Sequence, residues 1–142
     1  MKLEEIELQI AEDSMIDVNK LSTESLKIPM LAAKYRKYYI VESKILMQAQ
    51  IRLNEMEFNL FKYYNGEGTD EEYKQHPLNK LPLKGNIDKC IKVDKRYVEL
   101  SEKVKNQELK VFAVQDFMKE LNSRSFNIKN AIEWEKFKNG LN

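Results

Sequence analysis

From Cys90 to Leu121 a stripe of residues recurs at steps that alternate three and four without a miss: Cys90, Val93, Tyr97, Leu100, Val104, Gln107, Val111, Val114, Met118, Leu121. Only Gln107 is polar. This is a heptad seam, the stripe along which one long helix lies against another. It predicts a helix over 86–122, started at Asn86 or capped by Asp94. A single polar residue in such a seam can fix register at a cost in stability, the role expected of Gln107.

A second long helix is predicted over 22–64. Pro29 either opens it at a first-turn position or kinks it near its start. From Pro29 onward it would reach about 54 Å, longer than a small globule is wide. It carries two apolar stripes. One is Leu31, Tyr35, Tyr38, Ile45, Ala49, Leu53, Met56, Leu60; the other is Ile40, Met47, Ile51, Phe58, Phe61. A helix on the surface of a monomer needs one stripe, so two imply neighbours on two sides.

The remaining chain is minor by comparison. Residues 2–12 read as a short amphipathic helix on Leu3, Ile6 and Ile10, followed by a connector, "DSMIDVN". Residues 65–85 hold Gly66, Gly68, Gly85, Pro77 and Pro82 and are expected to be an irregular loop. "NSRSFN" is expected to interrupt the seam. A last helix within 126–140, about Ile128 to Asn139, would close on Gly140. The fold class is therefore all-α, and 142 residues give room for a single domain. Two long seamed helices with little else cannot cover all their apolar faces, so self-assembly is expected. The interface would run along Leu100, Val104, Gln107, Val111, Val114, Met118 and Leu121. An intramolecular antiparallel hairpin could instead hide one seam of each helix.

The formal net charge of +1 conceals an uneven distribution. The first 25 residues are acidic, whereas Lys27–Arg52 is basic with Glu42 as its sole acid. The stretch from Lys80 to Arg96 is basic too. Two such surfaces could attract a polyanion. The single Cys90 excludes an internal disulfide and suits a reducing compartment. No apolar run approaches the roughly 18 residues that span a bilayer, and the acidic N-terminus does not read as a signal peptide. A cytoplasmic protein without a membrane partner is expected.

Catalytic chemistry finds little support. His76 is the only histidine and reads as a solvated loop residue, while Cys90 on the seam reads as a small buried hydrophobe. No His or Cys pair has metal-ligand spacing, and no cofactor is implied. The chain is expected not to be an enzyme. "NGEG" (Asn65 to Gly68) lacks the lysine and helix-opening Ser/Thr of a phosphate loop, and acidic residues follow it. Asn-Gly just past an apolar-periodic run is a helix stop, because Gly66 tolerates positive φ.

"KYRKYY" (Lys34 to Tyr39) interleaves cations with aromatics. Cations bind phosphates while aromatic faces stack bases, a pairing suited to unpaired single strands. A plainer reading fits as well: Tyr35 and Tyr38 are core on the first stripe, and the cations are their solvated flank. Tyr39 lies off that stripe and is the better stacking candidate.

Several short stretches fall together in a familiar order and spacing. They are "MKLEEI" at the start, "IDVNKL" (Ile16 to Leu21), "YYNGEG" (Tyr63 to Gly68), "KVD" (Lys92 to Asp94) and "SRSFNIK" (Ser123 to Lys129). In this the whole chain resembles the UvsY family, the recombination mediators of T-even-type phages. The resemblance implies a small helical protein forming a ring-like, open-barrel homo-oligomer, a hexamer or heptamer, in the cytoplasm of the infected bacterial host. It also implies binding to single-stranded DNA, to the phage single-strand-binding protein and to a RecA-like recombinase of the UvsX type. The family carries a Lys-x-Arg pair inside an apolar helix turn just before two tyrosines, and that pair is tied to DNA binding. Here the turn reads Phe58-Asn59-Leu60, with Glu57 before it and Lys62 after it. The basic pair cannot be carried over, and Lys62, Tyr63 and Tyr64 are the nearest remaining candidates.

The expected DNA-binding set is thus Lys34, Arg36, Lys37, Tyr39, Lys44, Lys62, Tyr63, Tyr64, Lys84, Lys89 and Lys92. The rival expectation is a structural helical assembly protein with no nucleic-acid role, which heptads and charge runs alone would fit equally well.

Overall fold

The computed structural model describes residues 1–140. The elements are α1 (Leu3–Ser14), α2 (Leu21–Tyr64), α3 (Asp70–Gln75), a 3-10 turn (Lys84–Asn86), α4 (Ile87–Val93) and α5 (Lys95–Lys138). Among the described residues there is no strand. The chain, expected as one domain, divides by its packing into two compact units. The first combines residues 1–44 with the chain from 108 onward; the second is 45–107.

In the first unit α1, the start of α2 and the later part of α5 share one apolar core. Ile6, Leu31, Tyr35, Val114, Phe117 and Leu121 are its buried members, with Ile10, Tyr38, Tyr39, Ala113 and Met118 packed against them. The Tyr35 and Phe117 rings meet at 4.5 Å. Contrary to expectation, α5 does not break at "NSRSFN" but runs through it to Lys138. The reason is that the seam itself goes on, because Leu121, Arg124 and Ile128 keep the three-and-four spacing and all three are buried. Arg124 tolerates burial because its Nη1 donates to the Asp13 carbonyl at 3.0 Å and its guanidinium lies over the Phe117 ring. Phe117 is fully buried and Met118 only half-buried. At this turn the buried face therefore lies one position N-terminal of the strict seam. Gly140, at φ +71°, follows the end of α5.

The second unit is built around Leu60 of α2 with Ile87 and Ile91 of α4, and Met56, Tyr64 and Tyr97 pack against them. α2 ends by the expected glycine stop. Gly66 has φ +84°; its N–H donates to the Tyr63 carbonyl, and the N–H of Glu67 donates to that of Lys62 at 2.8 Å. That pair of bonds is a Schellman motif, and the left-handed residue it needs is the glycine.

The segment 65–85 is less irregular than expected. Thr69 and Glu72 form a reciprocal capping box that starts α3. The helix expected over 86–122 is interrupted as well. Asp94 is extended, at φ −66° and ψ 130°, and separates α4 from α5. Its Oδ1 accepts from the Arg96 N–H at 2.9 Å, which makes Asp94 the cap of α5. Val93 leaves the seam as a consequence and is 77% exposed.

The residues expected to form an oligomer seam are largely used inside the chain. Val104, Gln107, Val114 and Leu121 are buried, and Leu100, Val111 and Met118 are half-buried. Val114, Met118 and Leu121 belong to the first unit's own core. Leu100, Val111 and Met118 keep part of their surface open, so packing within the chain and assembly with a copy are both compatible with this seam. Of the two stripes on α2, the first is buried at Leu31, Tyr35, Leu53 and Leu60, although Ile45 remains exposed. The second (Ile40, Met47, Ile51, Phe58 and Phe61) is exposed throughout.

Candidate nucleic-acid interface

The candidate residues fall into two groups, one in each unit. In the first unit, α2 carries Lys34, Arg36, Lys37, Tyr39 and Lys44. Helical spacing separates their fates. Tyr35 and Tyr38 face α1 and the core, whereas Arg36, Lys37 and Lys44 point to solvent. Lys34 lies between, and its Nζ donates to Asp13 Oδ2 at 2.6 Å. The Tyr35 hydroxyl donates to the same oxygen at 2.8 Å, and the Tyr38 hydroxyl donates to Gln9 at 2.7 Å. Burial, and next the hydrogen bond to Asp13, push the Tyr35 phenol well above its ordinary range. Burial alone would raise the Asp13 carboxyl, but the bonds from Lys34 and Tyr35 outweigh it and hold the group below its usual value.

Tyr39 does not stand apart from the core as its position off the stripe suggested. It packs against the Tyr35 cluster and is half-buried. The free cations of this group are thus Arg36, Lys37 and Lys44, with Lys34 already neutralised by Asp13.

In the second unit the tyrosines are committed to the fold. Tyr63 is 2% exposed, stacks on Tyr73 at 5.1 Å, and has the Arg96 guanidinium over its ring at 4.7 Å. Its hydroxyl donates to the His76 carbonyl. The Tyr73 hydroxyl in turn donates to the Tyr63 carbonyl at 2.7 Å and accepts from the Gly68 N–H at 3.0 Å. Tyr64 donates to Asp94 Oδ2 at 2.6 Å, and Arg96 Nη2 donates to that oxygen at 2.9 Å.

Burial would raise the Asp94 carboxyl, yet the Arg96 and Tyr64 bonds push it down to about 2. Burial, then the bond to Asp94, push the Tyr64 phenol up, and burial raises Tyr63 against the opposing charge of Arg96. The bond to Asp94 raises the Arg96 guanidinium further. A base could not stack on Tyr63 without dismantling this cluster, because Tyr73 and Arg96 already cover its ring. In this structure Tyr63 and Tyr64 tie the end of α2 to α3 and to the cap of α5.

Lys62 remains exposed, with its Nζ 4.5 Å from the centre of the exposed Phe58 ring. Lys84 on the 3-10 turn and Lys89 and Lys92 on α4 are exposed as well. Lys80 and Lys95 add two more exposed cations to this stretch. Its only acids are Asp88 and Asp94, and Asp94 is taken by Arg96.

Sequence reasoning missed Tyr73, Arg96, Asp13 and Arg124, which organise both groups. Their partners lie 2 to 111 positions away along the chain, and the Asp13–Arg124 contact at the long end leaves no local pattern. Only the capping position of Asp94 announced part of the arrangement. Among the described residues no group of three or more His, Cys, Asp or Glu could hold a metal ion. No described helix is long and apolar enough to cross a membrane.

Comparison with known proteins sets this arrangement in context. No curated protein sequence matches the chain. Two solved crystal forms of the bacteriophage T4 recombination mediator protein UvsY share its fold. Lattice type II superposes with a TM-score of 0.87 at 20% identity, covering 97% of this chain and 98% of that one. Lattice type IV gives 0.78 at 18% identity, covering 97% and 99%. Residues 9–141 match the family described as "Recombination, repair and ssDNA binding protein UvsY". The chain belongs to the UvsY family.

Proposed function

We propose that this protein is a recombination mediator that binds single-stranded DNA and promotes loading of a RecA-like recombinase onto strands covered by a single-strand-binding protein. Family membership over residues 9–141 carries the reading. The exposed cations support it: Arg36, Lys37 and Lys44 in one unit, and Lys62, Lys84, Lys89 and Lys92 in the other. Phosphate contacts dominate affinity for single strands and need no base-specific pocket.

Assembly supplies what single contacts lack. The second stripe of α2 is exposed at Met47, Ile51, Phe58 and Phe61, and copies of the chain cover it in a ring of six or seven subunits. Several weak basic patches on one ring then hold one strand by avidity. The strand is held in a shape that suits the competitor less and recombinase nucleation better, in the cytoplasm of an infected bacterium. The single-strand-binding protein and a UvsX-type recombinase are the protein partners of this reading.

The exposed stripe by itself would also fit a structural assembly protein, and one experiment separates the two. A fluorescent poly-dT oligonucleotide is titrated with protein at several salt concentrations. Binding that weakens steeply with salt is expected, because each neutralised phosphate releases counterions. No binding at low salt would reject the mediator reading and leave the structural one.

A further inference from the structure

We infer that Asp13 is a built-in competitor for phosphate: it occupies Lys34 in the free protein and must give it up when a single strand binds. The inference rests on the proposed reading of Lys34–Tyr39 as part of a DNA-binding surface.

The geometry carries it. α1 bears Glu4, Glu5, Glu7, Glu12 and Asp13, and it lies on the face of α2 where Tyr35, Tyr38 and Tyr39 sit. At its C-terminal end Asp13 Oδ2 accepts from both Lys34 Nζ (2.6 Å) and the Tyr35 hydroxyl (2.8 Å). An anionic oxygen bound by a lysine and a phenol is the environment a phosphate oxygen would seek there. Lys34 is also close to two aromatic faces, 5.5 Å from the Tyr35 ring centre and 6.0 Å from that of Tyr38.

The clasp is reachable from solvent, since the Lys34 side chain is 35% exposed and that of Asp13 21%. The rest of α1 is held independently. Ile6 is buried in the core, the Met1 ammonium pairs with Glu42 at 3.5 Å, and Gln9 accepts from Tyr38. The last turn of α1 can therefore release Lys34 while its first two turns stay docked. Asp13 keeps a second tether through its own carbonyl, which accepts from Arg124, so the freed carboxylate remains nearby and can reclaim Lys34 when the strand leaves. The device sets a threshold. Arg36 and Lys37 are open to any polyanion, whereas Lys34 joins only when a phosphate outcompetes the resident carboxylate.

The test titrates fluorescent poly-dT with wild type, Asp13→Asn, Lys34→Gln and the double variant, across salt, with melting curves for each. Asp13→Asn is expected to tighten binding by roughly three- to tenfold at low salt, because Lys34 no longer has to be freed before it meets a phosphate. In the Lys34→Gln background the same change should do nothing. An Asp13→Asn variant that melts normally but binds no tighter overturns the proposal. So does equal tightening with and without Lys34, which would mean bulk charge and not the clasp.

Side-chain NMR on wild type supplies a second reading that no folding defect can blur. The Asp13 carboxyl and Lys34 ammonium signals should both shift on saturation with poly-dT, and unchanged signals overturn the proposal. Wild type that binds no DNA at all removes the functional reading together with the clasp. Wild type that binds while Asp13→Asn is indifferent removes the clasp alone.

Discussion

The two tyrosine segments, Lys34–Tyr39 and Lys62–Tyr64, look alike as sequence and differ as structure. In both, phenols sit beside cations on α2. In the first, Arg36 and Lys37 keep their charges free in solvent, and the rings beneath them are packed on α1 and the core. In the second, both hydroxyls are bound and Tyr63 is enclosed by Tyr73 and Arg96. An aromatic next to a lysine is therefore no evidence of base stacking. What decides is whether the ring faces and the hydroxyl already have partners.

The largest test of that contrast is truncation of one ring from each segment. Tyr63→Ala should cost on the order of 3–5 kcal/mol of stability, the range for deleting a buried large aromatic. Tyr39→Ala, removing a half-buried ring, should cost less and should weaken poly-dT binding if its exposed part meets a base. Chemical denaturation checks the first and the oligonucleotide titration the second. Equal losses of stability would erase the distinction.

Acid should act on the second segment. The Asp94 carboxyl is lowered from 3.8 to about 2, so its stabilising contribution is complete above about pH 4 and is lost as pH falls through about 2. The shift corresponds to about 2 kcal/mol, at about 1.4 kcal/mol per pKa unit. Asp94→Asn should flatten the stability profile between those limits. Unfolding midpoints measured from pH 5 to pH 2 give the answer, and identical profiles for the two proteins would mean the Arg96 and Tyr64 bonds do not matter.

Removing charge from the first segment should reverse the pattern. Arg36→Ala with Lys37→Ala should leave melting unchanged, weaken poly-dT binding roughly tenfold at moderate salt, and flatten the salt slope by about 1.4 for two lost contacts. Unaltered binding would move the surface to Lys80–Arg96. The smallest effect expected is at the helix stop between these features. Gly66→Ala should cost about 1 kcal/mol, because φ +84° strains any residue with a Cβ. The new Cβ would also lie 3.0 Å from Leu81 Cδ1, but that side chain is half exposed and can turn away.

Periodicity made the long helices legible. The seam from Val104 to Leu121 and the stripe from Leu31 to Leu60 mark faces that the structure buries wholly or in part, Ile45 excepted, and Gly66 stops α2 where its chemistry says it should. What periodicity cannot give is the partner of each face. A seam that pairs with the same chain and one that pairs with a copy have the same spacing, so spacing alone does not choose between them. The continuity of α5 through "NSRSFN" was hidden for a related reason. Polar residues read as a breaker, but Arg124 is solvated internally by the Asp13 carbonyl, a partner 111 positions away. The candidate cations were legible as charge, whereas the neutralisation of Lys34 and the enclosure of Tyr63 depend on long-range contacts that no local pattern encodes.

In the proposed assembly the uncovered stripe of α2 would tie folding to mass action. Surface such as Phe58 and Phe61 is exposed in the single chain, and covering it between copies would make the assembled state gain stability as the protein is concentrated. Thermal midpoints should therefore climb with each tenfold rise in concentration. A dilute sample would be the more fragile one, and abundance in the cell would set both how much protein is assembled and how long it survives unfolding.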